Sequence, residues 1–153
     1  MLARAQAERS PLALLVIDVD KFKAINDTHG HEVGDQVLCT LARRLERWDG
    51  ALCTVARFGG EEFAMMVAGL TGFALVQFAE RVREGIAHCD HGPTTGTITV
   101  SIGVAEHRAA ADVQSLYRAA DDALYQAKRQ GRNRVAMATT SPGSPALHLV
   151  HSA

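Results

Sequence analysis

The sequence is poor in the features that mark disulfide-stabilised, zinc-binding or membrane-spanning proteins. Its 153 residues include only three cysteines, Cys39, Cys53 and Cys89, and none of them forms a C-x-x-C pair. This spacing gives no sign of a disulfide framework or a zinc site and is typical of free thiols in a reducing compartment. The apolar run Pro11–Ile17 passes straight into Asp18 without a small-residue cleavage site, and no stretch is long enough to span a bilayer. We therefore expect a cytoplasmic protein without a membrane span.

A large excess of charge of one sign is also missing. The formal net charge is −1 at pH 7, so the chain has no overall basic field that would attract a nucleic acid. Any anionic ligand must be held by local groups of lysine and arginine. Hydrophobic residues make up 47% and charged residues 22% of the chain, which is typical of a globular domain with its own core.

The hydrophobic periodicity predicts the element order β-α-α-β-β-α-β-α-β. Helices that return between strands favour an α+β fold, and we expect a ferredoxin-like or polymerase-palm-like sheet that contains antiparallel pairs and is flanked by helices. The predicted strands are Leu12–Ile17, Leu52–Arg57, Glu62–Ala68, Thr97–Val104 and Arg134–Ala138, and the predicted helices are Asp20–His29, Glu32–Trp48, Thr71–His88 and Asp112–Gln130. Residues 1–10 are expected to be a residual helical segment, residues 11–138 a single domain and residues 139–153 a disordered tail.

Acidic residues occur at two places where strands of this sheet end. Asp18 and Asp20 follow the most hydrophobic strand. Glu61 and Glu62 lie where the next two strands are joined by a tight hairpin, Phe58–Glu61, that we expect to need glycine. Each feature alone has a commoner explanation as a turn, a cap or a solvated pair. Together they can bring carboxylates from separate segments around a magnesium ion, which prefers hard oxygen ligands and nucleotide phosphates.

The same residues belong to four longer motifs. They are Arg57-Phe58-Gly59-Gly60-Glu61-Glu62-Phe63, the run from Asp18 to His31 followed by Gly34-Asp35, the run from Ser101 to Ala105, and the run from Ala120 to Lys128 followed by Gly131-Arg132-Asn133. In their order and spacing over roughly residues 12–137, these motifs resemble the GGDEF-domain family in its GGEEF form.

The resemblance implies a diguanylate cyclase that condenses two GTP into cyclic di-GMP with Mg²⁺ or Mn²⁺ and releases two pyrophosphates. The implied metal ligands are Asp18, the backbone carbonyl of Val19, and Glu61. Glu61 is also the implied proton acceptor, and Glu62 can share that role. A metal-coordinated carboxylate is a weakened base, so attack without Glu61 as the base stays an alternative.

The resemblance also assigns the contacts to GTP. Asn26 and Asp35 would read the guanine, with His31 close to the nucleotide. Lys23, together with the backbone amides of residues 21–23 and therefore of Phe22, would hold phosphate and stabilise charge. Lys128 and Arg132 would hold the far phosphates. The helix start at Lys23 supports phosphate binding, whereas Lys128 and Arg132 could instead only complement a helix C-terminus.

One domain of this kind binds one GTP, so the resemblance implies a homodimer in which two sites face each other. Two departures from the family pattern matter. The usual segment ahead of the first strand is missing, and the chain can therefore be a fragment that lacks a sensor domain or partner. Gly50 and Cys53 replace the inhibitory Arg-x-x-Asp pair, and we expect no product inhibition there. The alternatives are a catalytically silent GTP-binding regulatory module and a cyclase with another purine preference.

Overall fold

A computed structural model describes residues 10–89, 96–107 and 112–139. It contains five strands and four helices within those ranges. The strands are β1 (Leu12–Val19), β2 (Cys53–Gly59), β3 (Glu62–Ala68), β4 (Val100–Glu106) and β5 (Val135–Met137). The helices are α1 (Phe22–His29), α2 (His31–Glu46), α3 (Gly72–Ala87) and α4 (Val113–Arg129).

The strands form one mixed sheet with β1 at its centre. The strand order is β2-β3-β1-β4-β5, in which β4 and β5 are parallel and every other neighbouring pair is antiparallel. All eight residues of β1 are buried, because the strand has a partner on each edge and helices on each face. The predicted α+β, palm-like fold and the predicted element order are confirmed.

Alternation along β1 decides which face of the sheet each of its side chains occupies. Leu15 and Ile17 belong to the core formed with α2 and α3. Leu14 and Val16 belong to the second core, which packs against α4. The same alternation carries Asp18 to the α4 face, where the last turn of that helix supplies cationic side chains.

Helix α4 approaches the sheet closely over Gly103 of β4. A methyl group at Gly103 would overlap the carbonyl oxygen of Ala120 and the backbone of Leu124. The absence of a side chain at this position therefore sets the distance between α4 and the strands. Asp112 caps the start of α4, as the sequence predicts, because its Oδ1 accepts a hydrogen bond of 2.7 Å from the Ser115 N–H.

Most element bounds differ by one to three residues from the sequence-based expectations, and the hairpin differs in its need for glycine. Strand β1 continues past Ile17 to Val19, and β4 begins at Val100 rather than Thr97. The glycines of the β2–β3 hairpin are not required by its backbone, because neither has a positive φ and a methyl group on either would meet no atom within 4 Å. The expected helical segment over residues 1–10 falls almost wholly outside the described residues, as does the expected tail over 139–153. None of the helices in the described ranges combines the length and apolar character needed to cross a membrane.

Candidate active site

Asp18 lies at the carboxyl end of the central strand and is only 5% exposed. Its Oδ1 is 2.9 Å from Lys128 Nζ at the end of α4. Burial raises the pKa of Asp18, and the neighbouring Lys128 and Arg132 charges partly oppose that rise. The carboxylate is thus held in an environment that favours a nearby positive charge.

Glu61 and Glu62 approach Asp18 from the β2–β3 hairpin. Asp18 is the register partner of Glu62, and the Val19 N–H donates to the carbonyl of Glu61 at 3.4 Å. Burial raises the pKa of Glu61, and the negative charges of Asp18 and Glu62 raise it further. Asp18 near the end of β1 and Glu61 in the diglycine turn therefore lie at the same end of the sheet, where their negative charges repel each other.

Two side-chain contacts brace this hairpin. The Arg57 guanidinium donates from Nε and Nη2 to the carbonyl of Gly60 at 3.1 Å and 2.6 Å. The Phe58 ring stacks on Tyr117 of α4 with 4.9 Å between ring centroids. The open space beside Gly59 and Gly60 leaves this part of the hairpin free to approach another molecule. Neither Tyr117 nor Arg57 is among the predicted site residues. The Tyr117 contact joins distant parts of the chain, whereas the Arg57 contact is local, to a residue three positions away.

The connection from β1 to α1 is a short turn in which Lys21 adopts a left-handed backbone with φ of 56°. The Lys21 carbonyl accepts hydrogen bonds from the N–H groups of Ala24 and Ile25, which closes the first turn of α1. The first amides of a helix have no partner within it and favour an anion. Phe22 is buried and anchors this turn, while Lys23 is exposed beside it.

Asn26 of α1 packs against α2, and Gly34 makes the room for it. A methyl group on Gly34 would overlap Asn26 Oδ1 and come within 3.2 Å of the Phe22 ring. Asn26 Oδ1 is buried, and no hydrogen-bond partner for it is present in the described part of the chain. Asp35 follows Gly34 directly, and His31 begins α2; both side chains are exposed. The structure therefore brings Asn26 and Asp35 to neighbouring positions on the α1–α2 pair.

A cavity of about 460 Å³ lies between α1, the segment leading into β4, and the turn after α4. Its lining includes His29 of α1 and Lys21 just before α1. Arg132 and Asn133 line it from the turn after α4. Of the predicted nucleotide-binding side chains, Arg132 is the one that borders this space. Lys23, Asn26, Asp35, Asp18 and Glu61 lie outside its lining, so the cavity adjoins the acidic site rather than containing it.

The acids of this region fit a divalent cation only in part. Across the described ranges, no group of three or more His, Cys, Asp and Glu side chains could hold a metal ion by itself. Asp18 and Glu61, with the Val19 carbonyl at the strand end, offer the few hard oxygens that magnesium usually takes from a protein when nucleotide phosphates complete its shell. The mutual repulsion that raises the pKa of Glu61 is a further reason for a cation to bind between these acids.

Gly50 and Cys53 face each other across the tight turn that leads into β2, which begins at Cys53. The Gly50 N–H donates to the Cys53 carbonyl at 2.9 Å, and the Cys53 side chain is buried. Neither residue carries a charged side chain, so the absence of product inhibition at these positions stays a prediction.

Comparison with known proteins places this fold and site in a defined class. The family model described as "Diguanylate cyclase, GGDEF domain" matches residues 1–134. The chain is 44% identical over 123 residues to the diguanylate cyclase DgcM of Escherichia coli K12, and the aligned region covers 80% of this chain and 30% of DgcM. It is 37% identical over 140 residues to the response regulator PleD of Caulobacter vibrioides, covering 88% of this chain and 31% of PleD. The chain thus spans about a third of the length of these curated relatives.

Comparison with solved structures identifies the same class of domain. The active GGEEF domain of a diguanylate cyclase from Vibrio cholerae has a TM-score of 0.82 and 37% identity, and the match covers 92% of this chain and 90% of that one. The GGDEF domain of DgcB from Caulobacter crescentus, solved in complex with c-di-GMP, has a TM-score of 0.83 and 37% identity, with 90% and 83% covered. The fold is that of a palm-like α+β domain. The chain belongs to the GGDEF-domain family, whose diguanylate cyclases are generally metal-dependent.

Proposed function

We propose that this chain is a catalytic GGDEF domain that condenses two GTP into cyclic di-GMP and two pyrophosphates, with Mg²⁺ or Mn²⁺, as a homodimer in the cytoplasm. The observation that carries the proposal is the convergence of Asp18 and Glu61 at one end of the sheet, beside the open Gly59-Gly60 hairpin. The names of the relatives and their 37–44% identity support the same reaction.

Asp18, the Val19 carbonyl and Glu61 would hold the metal ion. When bound, such an ion orients the triphosphate and neutralises charge on the phosphoryl group under attack. Burial has removed much of the water from around Asp18, so its attraction to a cation is stronger than that of an exposed carboxylate. Lys128, which lies 2.9 Å from Asp18, can turn from this carboxylate to phosphate once the carboxylate has another cationic partner.

Guanine would bind against the α1–α2 pair. The exposed Asp35 carboxylate can accept from the N1–H and the 2-amino group of guanine, which adenine does not supply. The enclosed Asn26 Oδ1 supports this location, because a buried amide oxygen without a partner costs free energy unless a ligand supplies a donor. His31 lies one turn before Asp35 on the same helix, close to the expected nucleotide.

The phosphates would extend from the guanine toward the β1–α1 turn. The amides of residues 21–23 and the Lys23 side chain would contact the phosphates at the start of α1, and Lys128 and Arg132 would add positive charge from the end of α4 and the turn after it. The 3′-oxygen of one GTP attacks the α-phosphorus of the other, the bond to pyrophosphate breaks, and the hydroxyl proton passes to Glu61, or to Glu62 beside it. Positioning and electrostatic stabilisation provide most of the rate in phosphoryl transfer.

The deciding experiment measures cyclic dinucleotide and pyrophosphate formed from GTP and Mg²⁺ by the wild-type chain and by Glu61→Ala. We expect the variant to lose roughly a hundredfold or more of the activity, since it removes both a metal ligand and the proton acceptor. Glu46→Ala, which removes an exposed carboxylate at the far end of α2, is the matched control and should keep full activity. GTP binding without product would favour a silent regulatory module, and equal use of ATP would contradict the role of Asp35.

The homodimer is tested by dilution. Because each domain binds a single GTP and the reaction joins two, activity per protomer should fall as the protein is diluted below the dissociation constant of the dimer. Activity per protomer that stays constant far below micromolar concentration would contradict the dimeric mechanism.

A further inference from the structure

Asp20 is a buried acid that the proposed metal and nucleotide contacts leave without a role. It follows β1 and is 8% exposed. Its Oδ1 accepts from Ser101 Oγ at 2.6 Å, and its Oδ2 accepts from Thr99 Oγ1 at 2.7 Å and from the Asn133 N–H at 2.9 Å. Both carboxylate oxygens of Asp20 are therefore engaged by the protein itself, whereas Asp18 pairs through Oδ1 with Lys128.

The hydrogen bond to Asn133 reaches a turn that lies 113 residues further along the chain. Gly131, Arg132 and Asn133 all have positive φ, at 119°, 62° and 45°. Left-handed backbone is unfavourable for residues with a side chain and persists only where neighbouring groups hold it. Arg132 and Asn133 therefore need external anchors.

Two hydrogen bonds anchor Asn133, one at its backbone and one at its side chain. Asp20 binds its backbone N–H, and Arg83 Nη1 of α3 donates to its side-chain Oδ1 at 2.7 Å. Arg83 is itself fixed by Glu80, at 2.6 Å. Arg132 precedes Asn133, and it borders the same cavity as Lys21 of the β1–α1 turn. The anchored turn thus points a cation toward the space that adjoins the proposed phosphate-binding amides.

We propose that Asp20 is a positioning residue that acts through the Asn133 N–H to hold Arg132 against the far phosphates of GTP. This inference rests on the proposed function. What Asp20 contributes is its hydrogen-bond acceptors rather than its charge, and it acts on the part of the nucleotide that Arg132 touches.

The test compares binding of 3′-deoxy-GTP, which lacks the attacking hydroxyl, with binding of GMP, which lacks the far phosphates, both with Mg²⁺. Asp20→Ala removes the acceptor for Asn133 and should weaken 3′-deoxy-GTP binding roughly tenfold, the usual scale for leaving a buried hydrogen-bond donor without a partner. GMP binding should change little. Asp20→Asn should keep most of the affinity, because its amide oxygen can accept from Asn133 while its NH₂ donates to Ser101.

A double-mutant cycle connects the effect to the arginine. Arg132→Ala should weaken 3′-deoxy-GTP binding to a similar degree, and adding Asp20→Ala to it should cause little further loss. If Asp20→Ala does not fold, Asp20→Ser takes its place, since it keeps a hydroxyl in the pocket while that oxygen lies where Asp20 has its Cγ, one bond short of the Oδ2 that accepts from the Asn133 N–H.

The inference is overturned if Asp20→Ala or Asp20→Ser weakens GMP and 3′-deoxy-GTP equally, if Asp20→Asn is as damaging as the truncation, or if the losses of Asp20 and Arg132 add. These results would assign a structural or charge-based role to Asp20 and leave the proposed function intact. A wild-type chain that binds neither nucleotide would instead refute the proposed function.

Discussion

Lys128 Nζ lies 2.9 Å from Asp18 Oδ1, so the last turn of α4 neutralises the acid at the end of the central strand. The two side chains differ in burial, at 32% exposed for Lys128 and 7% for Asp18. Solvent reaches the lysine but scarcely the carboxylate. The pair therefore serves mainly to offset the burial of Asp18, and its partner can exchange when a metal ion or phosphate arrives.

Removing this lysine should destabilise the fold in a pH-dependent way. Lys128→Met leaves a buried carboxylate uncompensated, and we expect the free energy of unfolding at pH 7 to fall by about 1–2 kcal/mol, after allowance for the partial exposure of the pair. The pKa of Asp18, already raised by burial, should rise further. Urea denaturation at pH 7 and pH 5.5 checks this, because protonation of Asp18 should shrink the deficit at the lower pH. Lys128→Arg is the control that keeps the charge, and an equal deficit at both pH values would contradict the explanation.

Replacing Glu61 should separate stability from metal binding. In EDTA, Glu61→Gln should be at least as stable as the wild type, because it removes repulsion from Asp18 and Glu62. On addition of Mg²⁺ with a non-reacting guanine nucleotide, the wild type should gain melting temperature while the variant gains much less. Differential scanning calorimetry provides the comparison. Glu46→Gln should follow the wild type in both conditions, and an equal gain in Glu61→Gln would show that Glu61 does not hold the metal.

Acidification should act on stability and on metal affinity in opposite directions. The pKa values of Asp18 and Glu61 are raised above their values of 3.8 and 4.5 in an unfolded chain. As the pH falls through these raised values, the folded chain takes up protons before the unfolded chain does. The contribution of both groups to the metal-free unfolding free energy therefore increases with falling pH, down to their unfolded values.

Metal binding should weaken over the same interval, because a ligand carboxylate must be deprotonated. Titrations of Mn²⁺ between pH 8 and pH 5 should show affinity falling toward the acidic end. The dependence should flatten in Asp18→Asn, and an affinity independent of pH in the wild type would contradict this account of the site.

Alanine should lower the stability of the fold at Gly103 but leave it nearly unchanged at Gly60. Gly103→Ala places a methyl group into the backbone of α4 and should cost about 1–3 kcal/mol of stability, because the helix must move away from β4. The same shift should separate Lys128 from Asp18. Gly60→Ala meets no atom and has no positive φ to strain, so its stability should stay within about 0.5 kcal/mol of the wild type. If the hairpin faces nucleotide, Gly60→Ala should nevertheless lose activity, and an active Gly60→Ala would place the nucleotide elsewhere.

The sequence was sufficient to predict the element order, because apolar periodicity distinguishes β1 from α2 and α4 without tertiary information. It placed the end of β1 too early, since Asp18 looks like a turn residue until its pairing with Ser101 and Glu62 is known. The need for glycine in the hairpin was inferred from common turn types and was wrong. The role of Asp20 could not be predicted, because its hydrogen-bond partners are 79, 81 and 113 residues away in the sequence. Motifs and periodicity describe only residues that are close together along the chain.

The central position of β1 has a consequence for how the two acids can move. Asp18 belongs to a strand that is hydrogen-bonded along both edges, whereas Glu61 sits on the turn joining the outer pair β2 and β3. Apart from rotation of the Glu61 side chain, a change in the gap between the two carboxylates requires bending of the β2–β3 ribbon near its turn. A cation of larger radius should be accommodated by displacement of the ribbon tip while the middle of the sheet keeps its place.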